Sequence, residues 1–320
     1  MLFTKKYIIF AAKCEEIRKN SIFAPSKRMK RMTDIVRLLR PLQWMKNVFV
    51  LAPLFFTGKL LMVSLLGPTL LVMAAFCLAA SSIYCLNDVR DAEADRLHPK
   101  KRLRPIASGK VSVKTGYGVM VAAMVGAVVL ALSVGTGPTV CIGIYLLINI
   151  AYCLKLKQVA ILDVALIAIG FVLRVLGGGM ATGIWISEWL VLMTFLLTLL
   201  LALAKRNDDF RIYELTGQKP RQSITGYNHE FINEVVSIVA AVTLVCYIMY
   251  TMSPDVTRRM GTRYVYLTSF WVLAGLFRYL QNMIVYKRSG SPTKAMVKDR
   301  FLQICVLGWI ASFVVIIYLI

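Results

Sequence analysis

The sequence predicts an all-α polytopic membrane protein, a bundle of nine transmembrane helices whose site opens to the cytoplasmic face. Three observations predict it. Of the 320 residues 58% are hydrophobic, more than a soluble chain of this length carries. The apolar runs are continuous and about 20 residues long, which suits helices and not the alternating strands of a barrel. The charge is confined to a few segments between those runs. The net charge of +22 then reports basic cytoplasmic loops and anionic headgroups. Nucleic-acid binding is disfavoured because no basic aromatic module accompanies it.

Residues 1–33 read as a basic cytoplasmic tail, because the apolar patch Tyr7–Ala12 is too short to span and lacks a cleavage pattern. Residues 34–320 read as one membrane-embedded domain. Asp34–Asn47 is amphipathic with basic punctuation and predicts an interfacial helix feeding the first span. Nine apolar segments follow, at roughly 45–63, 65–86, 113–134, 138–154, 159–180, 188–204, 231–253, 264–285 and 302–320. The first is the weakest, interrupted by Pro53, Gly58 and Lys59. Loops 87–112, 155–158, 205–230 and 286–301 carry most of the charge, and the alternate loops are short and nearly neutral. The positive-inside rule puts the charged set and the N-terminus in the cytoplasm, at the cell membrane. Arg258, Arg259 and Arg263 dissent, on the outer side. The seven cysteines have no metal-type spacing, and no disulfide or zinc site is expected.

The polar chemistry centres on Asn87–Gly109, NDVRDAEADRLHPKKRLRPIASG. If its start is helical, Asn87, Asp91 and Asp95 lie four apart on one face with Asp88 beside them. Oxygen-only ligands at that spacing suit Mg²⁺, against the commoner reading of a solvated charge loop. Lys100, Lys101, Arg102 and Arg104 follow at once. In the fifth apolar segment Asp163 and Arg174 share a stripe with Ile167 and Gly170, about 16 Å apart by helical rise, too far for a direct bridge. Charges within spans face partners or wet cavities. Gly177–Gly179 is expected to permit close packing and not to bind phosphate, since no strand precedes it. Lys205-Arg-Asn-Asp-Asp209 offers acids beside bases, Tyr152 and Lys155 stand at the end of span four, and Lys46 and Asn47 stand at the mouth of span one. Clustered carboxylates with many cations, two histidines and no Ser-His-Asp set point to a Mg²⁺–diphosphate site in which diphosphate departs from carbon.

Asn87-x-x-x-Asp91-x-x-x-Asp95, followed by His98-Pro99-x-Lys101-Arg102-x-Arg104-Pro105, resembles the first Asp-rich signature of the UbiA superfamily of membrane prenyltransferases. Arg40-Pro-x-Gln-Trp-x-Lys46-Asn47, Leu162-Asp163 with Gly170-Phe-Val-Leu-Arg174, and Ala204-Lys205-Arg206 resemble its decaprenyl-phosphate phosphoribosyltransferase branch, with Arg221, Tyr227, Gly290, Asp299 and Arg300 in weaker support. The resemblance covers residue 34 to the end. It implies a 5-phosphoribosyl diphosphate donor and a polyprenyl (decaprenyl) phosphate acceptor, as in cell-wall precursor synthesis. It further implies that Asn87, Asp91 and Asp95, assisted by Asp88, hold Mg²⁺. Lys46, Lys101, Arg102 and Arg104 would bind phosphates, and Tyr152, Lys155 and Asp163 would line the sugar-phosphate or acceptor side. Asn47, Arg174 and Lys205 complete the expected substrate contacts. The second DxxxD element of ordinary prenyltransferases is absent, since KRNDDFRIYE has Asp208 and Asp209 adjacent. The rival readings are prenyl transfer to an aromatic acceptor, and a transporter or lipid-binding protein.

Overall fold

A computed structural model describes residues 27–97, 101–217, 219, 221–287 and 298–318. His98, Pro99, Lys100, Gly290 and most of the basic tail lie outside them. Every regular element among the described residues is helical. In chain order these are α1 (Lys27–Leu39), a 3₁₀ segment Pro41–Leu51 running into α2 (Ala52–Phe56), α3 (Val63–Arg90), α4 (Ala92–Leu97), α5 (Val113–Leu132), α6 (Thr136–Leu154) and α7 (Leu162–Thr182). They continue with α8 (Glu188–Thr216), α9 (His229–Met252), α10 (Pro254–Met260), α11 (Ser269–Ile284) and α12 (Arg300–Tyr318). Six of them, α3 and α5 to α9, are long and apolar enough to cross a membrane.

Several boundaries differ from those the sequence suggests, each for a physical reason. The expected helix over 34–47 breaks at Arg40, which adopts φ +54. Pro41 disfavours the right-handed helical region for the residue before it. The first apolar segment is not one α-helix. Its 3₁₀ part and α2 together reach about 30 Å, because a 3₁₀ coil rises ~2.0 Å per residue against ~1.5 Å. Hydropathy ends near residue 204, yet α8 runs on to Thr216 and is closed by Gly217 at φ +66. Helix α3 likewise runs to Arg90. At 28 and 29 residues, α3 and α8 are about 42–44 Å long against a hydrocarbon core of ~30 Å. Asn87 and Asp88 lie in the last turn of α3, and Arg206 and Asp209 lie in α8 after the apolar run ends. Of the segment that carries Arg258, Arg259 and Arg263, Pro254–Met260 forms α10, seven residues long and too short to span.

Packing follows residue size. On α5 the small residues Ala123, Ala127 and Ala131, four apart, are buried in the core shared with α3, while Val121, Val125 and Val129 are exposed on the opposite side. Lipid tails are as apolar as Val, so close backbone approach and not hydrophobicity selects the packing face. Helix α7 lies between the two halves of the bundle and contacts α3, α6, α8 and the 3₁₀ segment. Gly177–Gly179 serve that packing. A Cβ at Gly177 would meet the Phe76 ring at 2.8 Å, and one at Gly178 would meet the Val50 carbonyl group. The six described cysteines lie buried and unpaired in helices, where they act as small apolar side chains.

Candidate active site

The C-terminal ends of α3, α6 and α8 and the N-terminus of α7 meet at one end of the bundle. The acidic residues there divide into three sets. Asn87 and Asp91, at the end of α3, face Lys157, whose Nζ lies 3.3 Å from Asn87 Oδ1 and 3.0 and 3.2 Å from the two Asp91 oxygens. Asp88 and Asp95 turn the other way. Arg104 Nη1 donates to Asp95 Oδ2 at 2.6 Å and lies 3.2 Å from Asp88 Oδ1, which also accepts from Arg40. Arg40 lies over the Tyr84 ring at 4.9 Å. The left-handed turn at Arg40 thus serves a purpose: it delivers a guanidinium to Asp88. The expected stack of Asn87, Asp91 and Asp95, with Asp88 beside it, is divided by these cations into the pair Asn87 and Asp91 and the pair Asp88 and Asp95.

The third set surrounds Asp163, fully buried at the start of α7. It accepts from Arg206 Nε (2.6 Å), Ser223 Oγ (2.9 Å) and the Tyr227 hydroxyl (2.6 Å). Burial and the bond to Asp163 push the Tyr227 phenol up, so it stays a donor. Arg206 Nη1 also donates to Asp209 (2.7 Å), Asp209 lies 3.5 Å from Arg221 Nε, and Arg221 Nη1 donates to the Tyr152 hydroxyl at 2.9 Å. Asp163 and Arg174 do not touch, as the spacing predicts. Arg174 is buried with Nε on Asn47 Oδ1 (2.7 Å), Nη1 on the Gly170 carbonyl (2.6 Å), Nη2 on the Tyr145 hydroxyl (3.1 Å), and the Tyr145 and Phe171 rings 4.8 and 5.1 Å away. Asn47 Nδ2 donates to Cys77 Sγ at 3.1 Å. Asn47 and Arg174 therefore have their main polar groups engaged by protein.

Lys46 links the sets. It lies in the electrostatic reach of Arg40, Arg174 and Lys205, and Lys205 lies in that of Arg221 and Asp209. Lys46 and Lys205 are exposed, and neither makes an ion pair among the described residues. Two ammonium groups without ion-pair partners and within electrostatic reach raise one another's Coulomb energy unless an anion joins them. Arg102 and Lys155 are also exposed, and Lys101 is half-buried, with Lys101 and Arg102 on a 3₁₀ turn and Lys155 just after α6. Sequence reasoning placed Lys157 and Arg206 only within stretches neighbouring the site and assigned no role to Arg40, Ser223 or Tyr227. No local signal pairs Arg206 with Asp163, 43 residues away.

Among the described residues no three His, Cys, Asp or Glu side chains converge on one point. Mg²⁺ does not require that. It takes one or two carboxylates, keeps waters and binds substrate phosphates. Asn87 Oδ1 and Asp91 fit such a role, because they already share one cationic partner, Lys157. Asp88 Oδ2, buried and without a hydrogen-bond partner among the described residues, points to a further polar contact beside them.

The profile of the UbiA prenyltransferase family matches residues 48–305. The chain belongs to the UbiA prenyltransferase family. Decaprenyl-phosphate phosphoribosyltransferase of Mycolicibacterium smegmatis is 33% identical over 297 residues, 90% of this chain and 93% of that one. Its counterpart in Corynebacterium glutamicum is 31% identical over 91% of this chain and 89% of its own. A UbiA homologue from Archaeoglobus fulgidus, solved with GPP and Mg²⁺ bound, superposes with a TM-score of 0.66 at 18% identity, covering 89% of this chain and 99% of that one. That likeness is one of fold. The same homologue was also solved with Cd²⁺, so divalent ions bind UbiA-fold proteins. The UbiA chain described here is a membrane protein with six spanning-length helices.

Proposed function

We propose that this protein transfers 5-phosphoribose from 5-phosphoribosyl 1-diphosphate to a polyprenyl phosphate of the decaprenyl type, releasing diphosphate. The observation that carries this reading is the end-to-end likeness to phosphoribosyltransferases of that name. The engagement of Asp209 by Arg206 and Arg221, where ordinary prenyltransferases carry a second acidic motif, supports it. A phosphate oxygen of the lipid attacks the anomeric carbon of the ribose as the carbon–diphosphate bond breaks. That nucleophile is anionic near neutral pH, so no side-chain base is needed.

Asn87 and Asp91 are the residues suited to hold Mg²⁺, which when bound neutralises charge on the diphosphate. Asp88 and Asp95 act one step back, aiming Arg40 and Arg104. Lys46, Lys101, Arg102, Arg104, Lys155 and Lys205 supply cationic contacts for the phosphates of donor and acceptor. Tyr152 orients Arg221, and Asn47 with Arg174 shapes the inner end of the site. Nine spans are proposed: the six long helices, the Pro41–Phe56 run, α11 and α12. Residues 34–320 then form one catalytic domain in the cell membrane, with the N-terminus and the site on the cytoplasmic side.

Membranes containing the protein, given Mg²⁺, decaprenyl phosphate and radiolabelled 5-phosphoribosyl diphosphate, are expected to move label into the organic phase. An unlabelled lipid fraction, together with transfer from a labelled prenyl diphosphate to an aromatic acceptor, would overturn the assignment in favour of prenyl transfer.

A further inference from the structure

We propose that Asp163 is a positioning residue whose buried clasp on the 221–227 segment holds Arg221 as an anion clamp at the mouth of the site. The proposal rests on the diphosphate chemistry above, though not on which group the diphosphate leaves. Asp163 has no exposed surface and its oxygens already accept three donors, so it has no room for a sugar. Two of those donors, Ser223 and Tyr227, belong to the segment that follows Arg221. The Tyr227 hydroxyl in turn accepts from the Ile161 amide at 2.7 Å. Ile161 holds φ +70, a conformation that a β-branched residue adopts only when its surroundings impose it. The clasp therefore stores strain where α7 begins, and both ends of the short segment are pinned.

The outcome of that pinning is visible at Arg221. Its Nε faces Asp209 and its Nη1 donates to Tyr152, which fixes the plane of the guanidinium. An arginine carries five N–H donors in a rigid fork, so the rest of the group stays available. The side chain is one-third exposed, it shares Asp209 Oδ2 with Arg206, and Lys205 lies within its electrostatic reach. Arg221 and Lys46 each lie within the electrostatic reach of Lys205, and the ligand that matches such a set of cations is a phosphate or diphosphate.

The test measures equilibrium binding of inorganic diphosphate with Mg²⁺ to the full-length protein in nanodiscs. Inorganic diphosphate is the product whether sugar or prenyl is transferred. Arg221→Gln is expected to weaken binding by about tenfold or more, as for loss of a charge-assisted hydrogen bond. Tyr227→Phe, which leaves Arg221 in place but loosens the clasp, is expected to weaken it by about threefold. The double variant is expected to match Arg221→Gln within about twofold, because the clasp acts through Arg221 alone. Wild-type affinity in Arg221→Gln, or losses that multiply in the double variant, would overturn the relay. Protein that binds diphosphate with these dependences yet moves no phosphoribose would uphold the relay and overturn the donor assignment.

Discussion

Replacing Gly178 by alanine is a sharp test of how α7 meets the 3₁₀ segment. The new Cβ would lie 2.9 Å from the Val50 carbonyl carbon and 3.3 Å from its Cα, and closer still to the carbonyl oxygen. Carbon atoms pack at about 3.5–4.0 Å, so the two backbones must separate by on the order of 1 Å. Backbone cannot rotate aside as a side chain can. Overpacking of this kind costs ~1–3 kcal/mol. The same movement stretches the 2.7 Å bond from Arg174 to Asn47 past hydrogen-bonding range, for a further ~1.5–3 kcal/mol as a charged donor is stranded. The gain in helix propensity returns only ~1 kcal/mol. The net expectation is a loss of about 1.5–5 kcal/mol. Gly143 in α6 is the control, since a Cβ there meets nothing within 4 Å. Gly143→Ala is expected to gain up to ~1 kcal/mol from propensity alone. Both variants are to be followed by reversible unfolding in mixed detergent micelles. Equal stability of the two variants would refute the close approach at Gly178 and with it the described register of the 3₁₀ segment.

Two further predictions concern the polar end. Asp91→Ala is expected to cut turnover by about 10²-fold or more while changing stability by under ~1 kcal/mol, because its ion pair with Lys157 is one-third exposed; activity and unfolding measured on one preparation check both halves. Asp299 caps α12 through the Leu302 amide and pairs with Arg278. Burial works to raise its carboxyl, but the bonds from Asn282, Leu302 and Arg278 outweigh it and hold the group below its usual value of 3.8. A depressed value means stability present above the unfolded value and lost as pH falls through the folded one. Asp299→Ala is expected to cost ~1–2 kcal/mol at pH 7, with the gap to wild type narrowing as the pH falls below 3.8; a gap constant across the acid limb would refute the assignment.

Much of the site was legible residue by residue. The i, i+4 spacing of Asn87 and Asp91 told that both project to one side, and both reach Lys157. The separation of Asp163 and Arg174 along one helix told that they have different partners. The boundaries were less legible, because hydropathy reports the lipid layer and not the helix: α8 continues through KRNDDFRIYELT, a stretch too polar to read as a span. The 3₁₀ form of the first segment was also hidden, and so was its close approach to Gly178 of α7, 128 residues after Val50.

The sequence by itself determined that the chain is helical, that it lives in a membrane, and that most of its charge falls in a few segments between apolar runs. Those properties depend on length and local composition, which a bilayer reads directly. Only the tertiary structure decided which cation meets which carboxylate. Arg40 reaches Asp88 across 48 residues, Lys157 reaches Asp91 across 66, and Arg206 reaches Asp163 across 43. With 38 Lys and Arg residues and 16 Asp and Glu, spacing leaves many pairings open. Helix packing selects among them, because a charge buried without its partner costs more than the fold can spare.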